Sequence, residues 1–496
     1  MNYISTRSEN SEKKSAAYVI KQGIAPDGGL YVPESIPVLS QADITALTKM
    51  NYIERAAHVL GLFLTDYTKE ELIRAASKAY GRHKFPSPPV RLSQVNGDYV
   101  LELWHGPTSA FKDMALQIMP HLLALALEKT GEKRDALILV ATSGDTGKAA
   151  LEGYADAERV FIQVFYPSDG VSNIQKRQMA TQSGKNVCVT AIKGNFDDAQ
   201  SGVKAIFGDG EIIEALNQKG LFLSSANSIN WGRLAPQIVY YVSAYCELLK
   251  QKKIKPGETL NVTVPTGNFG NILACYFAKK MGVPIGKLVC ASNKNNILTD
   301  FIRTGVYDKR RPFYTTISPS MDILISSNLE RLLYLIAGAS RCAGYMKSLL
   351  EKGYFEVEKD VLEVIQQDFC GCFCDEDGTK ETIKRYFENY NYLSDTHTAV
   401  GLYCAEEYKK TTGDDGAMLI ASTASPYKFS PAVLGALGET VPAEEFEALK
   451  KLNAVSGVQI PERLAKLESK KVRFTKIIEK EAMKSEVLAF ADAIKK

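Results

Sequence analysis

The sequence predicts an α/β protein built on parallel sheets covered by helices on both faces. Three observations carry that expectation. Short apolar, β-prone runs recur along the chain, each run ends in small and polar residues, and a helical pattern follows. The runs are nearly continuous in apolar character rather than alternating, which belongs to strands buried on both faces. They read "YVLELWH" (99–105), "DALILVAT" (135–142), "RVFIQVFYP" (159–167), "NVCVTAI" (186–192), "LFLSSAN" (221–227), "LNVTVPT" (260–266), "KLVCASN" (287–293) and "AMLIASTA" (417–424). In such sheets ligands sit outside the carboxyl ends of the strands. Chemistry is therefore expected just after each run.

The flanks read differently. Residues 1–95 are mostly helical in pattern around a turn-rich "APDGGLYVP" (25–33), and form an N-terminal module. The main α/β region covers 96–320 in two lobes. Residues 321–395 are richer in charge, Tyr and Cys, break the strand–helix rhythm, and read as an insertion. The α/β region returns over 396–440, and 441–496 are charged, amphipathic terminal helices.

Composition excludes several function classes. The chain has 496 residues, 45% hydrophobic and 24% charged, with a net charge of +3. That is a globular composition, and it gives no case for nucleic acid as a partner. The start, "MNYISTRSENSEKK", is polar, and no apolar run reaches the ~18 residues of a membrane span. No membrane partner is expected, and the simplest location is the cytoplasm. Nine cysteines are an odd number for a disulfide framework. Cys370, Cys372 and Cys374 are spaced C-x-C-x-C, with no CxxC pair or nearby histidine. No metal site is expected there, only reduced thiols in a loop-rich segment.

The post-strand loops come next. "SGDTGKAA" (143–150) places hydroxyls and glycines before a helix. It reads either as an anion-binding helix N-terminus or as a tight strand–helix turn. It is not a P-loop, because Ala follows Gly147-Lys148. "TGNFGN" (266–271) sets Gly267 and Gly270 three apart with Asn beside each, as in a backbone nest for phosphate. It is not GxGxxG. "NSINWGR" (227–233) offers an amide, a hydroxyl and Arg233, which either grips a phosphate or makes a surface salt bridge. "STASPYKF" (422–429) offers hydroxyls without acid or imidazole.

Lys112 stands in "HGPTSAFKDMALQ" (105–117), after Phe111 and before an apolar helix expected to be capped by Thr108 or Ser109. Most lysines are surface charges. Here the positive end of the helix dipole and apolar neighbours both disfavour the ammonium, as a nucleophilic amine requires. Such a lysine, two anion loops and a hydroxyl-rich strand end together describe a pyridoxal phosphate site.

At this point the motifs resemble a family. "YISTR", "GIAPDGGLYVP", "WHGPTSAFKDMALQ", "ATSGDTGKAA", "SANSINWGRLAPQIVYY", "PTGNFGN", "SMDILISSNLER", "DTHTAVG" and "STASPYKF" resemble the threonine synthase family, within the fold-type II pyridoxal phosphate enzymes. The run extends from residue 3 to about 430. The resemblance implies two parallel-sheet domains, the lobe of roughly 100–200 being mobile. It makes Lys112 the residue that holds the cofactor and acts in catalysis. It gives the cofactor phosphate to Gly267, Asn268, Phe269, Gly270 and Asn271, the pyridine nitrogen to Thr423, and the 3-hydroxyl to the neighbourhood of Asp145. The substrate falls to Ser143, Thr146, Asn227, Ser228 and Arg233. Asp145 stands where many relatives carry Asn. Ser425 and Tyr427 replace the His and Ala of a "TAHPAKF" pattern, and Thr396 stands where Pro is usual. The implied reaction is conversion of O-phospho-L-homoserine and water to L-threonine and phosphate, the last step of threonine biosynthesis, by a monomer or homodimer. A relative releasing a 2-keto acid, and a non-catalytic phosphate-binding module, are the rival readings.

Overall fold

The computed structural model describes residues 1–494 apart from 11, 87, 143 and 170. The N-terminal residues form a short antiparallel ribbon, β1 (Tyr3–Ser5) with β2 (Tyr31–Pro33), and helices at Ala16–Gln22, Gln41–Thr48, Tyr52–Phe63 and Lys69–Tyr80. The last three of these start on capping boxes, Ser40 with Asp43, Asn51 with Glu54 and Thr68 with Glu71.

An antiparallel hairpin follows, β3 (Arg91–Val95) and β4 (Asp98–Glu102). Next come β5 (Asp135–Ala141), β6 (Val160–Pro167), β7 (Val187–Lys193) and β8 (Leu221–Ser224). Then come β9 (Leu260–Pro265), β10 (Ile285–Ser292), and a second ribbon of β11 (Val306–Asp308) with β12 (Tyr354–Glu356). The last strands are β13 (Phe369–Phe373), β14 (Met418–Ser422) and β15 (Ile477–Glu479). All eight apolar runs are strands. One sheet has six strands in the order β13-β10-β9-β14-β4-β3, and the other has five, β15-β7-β6-β5-β8. Every pairing in them is parallel except β3 with β4. Every residue of β4, β9 and β14 is buried, which is why these strands read as continuous apolar runs.

Three elements differ from expectation. "FCGCF", expected in a loop, is strand β13 on the edge of the larger sheet, paired with β10 from Leu288↔Phe369 to Ser292↔Phe373. Small thiols pack there as apolar residues do. The terminal segment is not wholly helical, because β15 joins β7 as an edge strand. The helix after Lys112 is short, Asp113–Leu116, and neither Thr108 nor Ser109 caps it. Lys112 itself is the cap residue. The roles are inverted, since the Asp113 carboxylate accepts from Thr108 N (2.7 Å) and Thr108 Oγ1 (2.9 Å).

Topology sets the site. The loops singled out by sequence follow β4, β9 and β14, which are neighbours in one sheet, and β5 and β8, which are neighbours in the other. All lie at carboxyl ends.

Candidate active site

Lys112 is held in place through the backbone of its own loop. Phe111 N donates to Thr423 O (2.8 Å), Ser425 N donates to Ser109 O (3.1 Å), and Ala110 bridges Ala424. The loop after β4 is thereby zipped to the residues after β14, with Ser109 in the left-handed region at φ 59°. Lys112 Nζ makes no hydrogen bond or ion pair among the described residues and lies 5.8 Å from the Phe111 ring centroid. Burial, chiefly, holds its amine below the ordinary lysine value. The positive charges of Lys428 and Arg233 push it the same way, against the pull of Asp145.

Asp145 opens the helix Asp145–Tyr154 after β5. Burial would raise its pKa. The charges of Lys428 and Lys112, with hydrogen bonds from Lys428 and Gln175, outweigh burial and hold it far below the usual carboxylate range. Lys428 Nζ is 2.5 Å from Asp145 Oδ1, with side chains 0% and 4% exposed. It also donates to Thr108 O (3.1 Å). The turn before this helix is closed from within, since Thr142 Oγ1 accepts from Gly144 N (3.0 Å) and Gly147 N (2.9 Å). Thr146, next to Asp145, is half-buried. Ser143 lies outside the described residues.

The loop after β9 turns through Phe269 at φ 61° and enters the helix Gly270–Lys280. Successive amides around a left-handed residue at a helix start form a concave donor surface. Gly267 is required there, because a Cβ would stand 2.7 Å from Ser320 O. Asn271 Oδ1 accepts from Tyr240 OH (2.6 Å) and Tyr241 OH (2.5 Å). Asn271 Nδ2 is buried without a partner among the described residues.

Arg233 sits in the first turn of the helix Trp231–Lys250. Trp231 anchors that turn, its ring centroid 5.4–5.5 Å from those of Tyr3, Phe63 and Phe277. The surface salt bridge is ruled out. Arg233 is 4% exposed and has no carboxylate partner among the described residues. It donates to Ala226 O, and its Nε is buried without an acceptor among the described residues. Burial pulls its pKa down to about 10. Asn227 is exposed and Ser228 half-buried at the mouth. Thr423, just past β14 in the larger sheet, is 6% exposed, and its hydroxyl has no partner among the described residues.

Sequence reasoning assigned no role to three residues that hold these pieces together. Asn328 Nδ2 donates to Asn268 O (3.0 Å) and to Ser228 O (3.3 Å), and so ties the loop after β9 to the loop after β8. Arg331 is fully buried and holds Asn328 Oδ1 (2.5 Å), Ile229 O (2.5 Å) and Tyr31 O (2.9 Å). His397 Nε2 accepts from Ser320 N (3.1 Å), so its proton is on Nδ1, facing Asp395 Oδ1 (2.8 Å). Ser320 O is the atom that packs against Gly267.

Comparison with known proteins agrees along the whole chain. Residues 83–423 match the model "Pyridoxal-phosphate dependent enzyme", 2–80 match "Threonine synthase N terminus", and 398–487 match "Threonine synthase, C-terminal". The chain belongs to the threonine synthase family. Threonine synthase from Saccharomyces cerevisiae is 38% identical over 467 residues, covering 88% of this chain and 89% of that one. Human threonine synthase-like 1 is 39% identical over 478 residues, covering 92% of this chain, which spans only 62% of that longer protein. Among solved structures, the pyridoxal phosphate-bound threonine synthase from Brucella melitensis superposes with a TM-score of 0.88 at 36% identity, covering 99% of each chain. The fold-type II architecture expected from sequence is the one observed.

Lys428, paired with Asp145, is a further residue of this candidate site that sequence reasoning gave no role. The signal was present, since it lies between Tyr427 and Phe429 as Lys112 lies beside Phe111. The "YISTR" motif also finds its purpose. Thr6 Oγ1 (2.6 Å) and Arg7 Nε (2.9 Å) and Nη2 (2.7 Å) bind the Glu330 carboxylate, next to Arg331. The N-terminal module thus fixes the residues that join the two loops.

Proposed function

We propose that the protein is a threonine synthase, converting O-phospho-L-homoserine and water to L-threonine and phosphate with pyridoxal phosphate. The observation that carries this reading is the charge of the site. Lys112 feels the positive charges of Lys428 and Arg233 in a buried setting, Asp145 is paired with Lys428, and Arg233 has no carboxylate partner among the described residues, so the site is suited to be completed by anions.

Pyridoxal phosphate fits the residues present. Lys112 supplies an unpaired amine kept below its ordinary value. The amides of 267–271 form the cradle, which a Cβ at Gly267 would fill, and the orphaned Asn271 Nδ2 borders it. The Thr423 hydroxyl suits a neutral ring nitrogen. When bound, the cofactor supplies an electron sink for charge developing at the substrate's α carbon.

The chain's own groups do the rest. Lys112 Nζ, biased toward its neutral form, takes the protons leaving the α and β carbons. Arg233 holds the γ-phosphate through charge-assisted bonds as it departs. Thr146 and the first turn of its helix serve the same group, with Asn227 and Ser228 on the substrate side. Asp145, paired with Lys428, stays ionised and gives the amine of Lys112 a fixed counter-charge. Closure of the smaller-sheet lobe excludes water until phosphate has left. The same reading places the enzyme in the cytoplasm as a monomer or homodimer. No described helix is long and apolar enough to cross a membrane.

The test is stoichiometric release of phosphate and threonine from O-phospho-L-homoserine by the purified protein. Release of phosphate with a 2-keto acid in place of threonine refutes the proposal.

A further inference from the structure

A cleft of about 300 Å³ opens one to two turns along the Asp145–Tyr154 helix from Asp145, lined by Lys148, Glu152, Thr181, Gln182, Ser183, Lys470 and Lys471. It shares no residue with the site described above. Lys148 is at its floor, with its side chain 8% exposed. An ammonium has three donors. Two are used, toward Glu152 Oε2 (3.1 Å) and Gln182 Oε1. The third has no acceptor among the described residues. Glu152 is the one carboxylate in the cleft, and its charge is already shared. Lys84 (3.3 Å), Lys148 (3.1 Å) and Arg463 (3.1 Å) all pair with it. Lys470 and Lys471 have no carboxylate partner among the described residues.

These two lysines are not carried on a loose strand. Arg177 Nη2 donates to Glu468 O (2.8 Å) and Lys470 O (2.8 Å). Arg473 donates to Gln182 O from Nη1 (2.6 Å) and to Ala180 O from its backbone (2.8 Å). Both ends of the Lys470-Lys471 step are thus stitched to the helix Asn173–Ala180 and the turn after it, and the lysines are kept over the cleft.

We propose that this cleft is a second anion site, binding a small phosphate-bearing molecule between Lys148, Lys470 and Lys471. Three ammonium groups and the Ser183 hydroxyl around one opening suit a phosphate dianion better than a carboxylate, which carries one charge and two oxygens. The site is placed to act on catalysis. The helix that carries Lys148 also carries Asp145 and Thr146. At Gly153 it approaches the Asp113–Leu116 helix so closely that a Cβ would stand 2.0 Å from Leu116 O. Occupancy at Lys148 therefore bears on the helix that follows Lys112.

The experiment is titration of the holoenzyme with inorganic phosphate by calorimetry, with acetate as the control anion. Two phosphate sites per chain are expected. The double change Lys470→Ala with Lys471→Ala should weaken one of them at least tenfold and leave turnover without added phosphate unchanged. Lys148→Met, which keeps the stem of the side chain, should weaken the same site. Arg233→Ala should weaken only the other, so failure of the cleft and failure of the proposed catalytic site are read separately. A single site, lost with Arg233→Ala alone, overturns the proposal. So does a second site indifferent to the lysine changes, or one that acetate fills equally well.

Discussion

The loop after β9 and the cluster around Arg233, the two places where the proposed function seats a phosphate, are built by opposite means. The first works with neutral amides and is fastened before anything binds. Ser326 Oγ holds Gly267 O (2.7 Å), and Asn328 holds Asn268 O through both N (3.1 Å) and Nδ2 (3.0 Å). The second works with a full charge left uncompensated, since Arg233 is buried with Nε unpartnered among the described residues. Shape suits a group that stays. Charge suits one that leaves each cycle and must be drawn back, because an unpaired buried cation gains most when its anion arrives.

The largest effect should come from Lys112→Ala, the residue the proposed function puts in both the cofactor bond and the proton transfers. Turnover and yellow colour should vanish while thermal melting of the cofactor-free protein stays put. Residual threonine formation would remove Lys112 from the chemistry. Arg233→Ala comes next. A bidentate bond to phosphate is worth about 1.5–3 kcal/mol, so kcat/KM for O-phospho-L-homoserine should fall roughly ten- to a hundredfold. Cofactor affinity should hold, and Arg233→Lys should restore only part of the loss. Loss of cofactor from this variant would erase the division of labour.

Gly267→Ala is the converse. A Cβ 2.7 Å from Ser320 O displaces backbone on both sides, at about 1–3 kcal/mol for such overpacking. Cofactor dissociation should strengthen accordingly, with little change in KM once the cofactor saturates. Asn328→Ala sharpens the comparison, because its amide serves both loops. At about 1 kcal/mol per hydrogen bond, cofactor affinity and substrate KM should each worsen roughly fivefold. A change in one alone would mean the loops are not coupled there. The smallest effect is a pH shift. Since the Lys112 amine is held below its ordinary value, an amine-directed reagent should modify it in cofactor-free protein at lower pH than the bulk lysines. In Lys428→Met, which removes a positive neighbour and frees Asp145, that pH should rise.

The parts of the molecule that sequence made legible are those where one short segment contains its own reason. Buried strands are apolar without interruption, and the "TGNFGN" turn carries its own left-handed position at Phe269. The depressed amine of Lys112 could be expected because apolar residues flank it in sequence, whereas the charges that act on it, Asp145, Lys428 and Arg233, lie far along the chain. Asn328, Arg331 and His397 were not legible. Each acts through backbone groups at least 60 residues away or on another loop, such as Asn328 on Asn268 and Arg331 on Tyr31. β13 was hidden because cysteine and glycine carry little strand signal. Only its neighbours, such as Thr299 Cα 2.9 Å from where a Gly371 Cβ would stand, explain the small residues. The cap at Thr108 was misread because a buried carboxylate, Asp113, took the acceptor's part.

β15 closes the edge of the smaller sheet, and the helix Met483–Ile494 packs on the same apolar face as Ala199, Val203 and Ile206. That lobe's other strands lie between residues 135 and 224. During synthesis at ~5–20 residues per second, they wait some tens of seconds for their last strand. Throughout that interval β7 presents an open edge and the helix Phe196–Phe207 an uncovered face, the features that recruit chaperones and promote misassembly. The lobe to which the proposed mechanism assigns closure is also the one that a nascent chain cannot finish until Ile477–Glu479 has emerged.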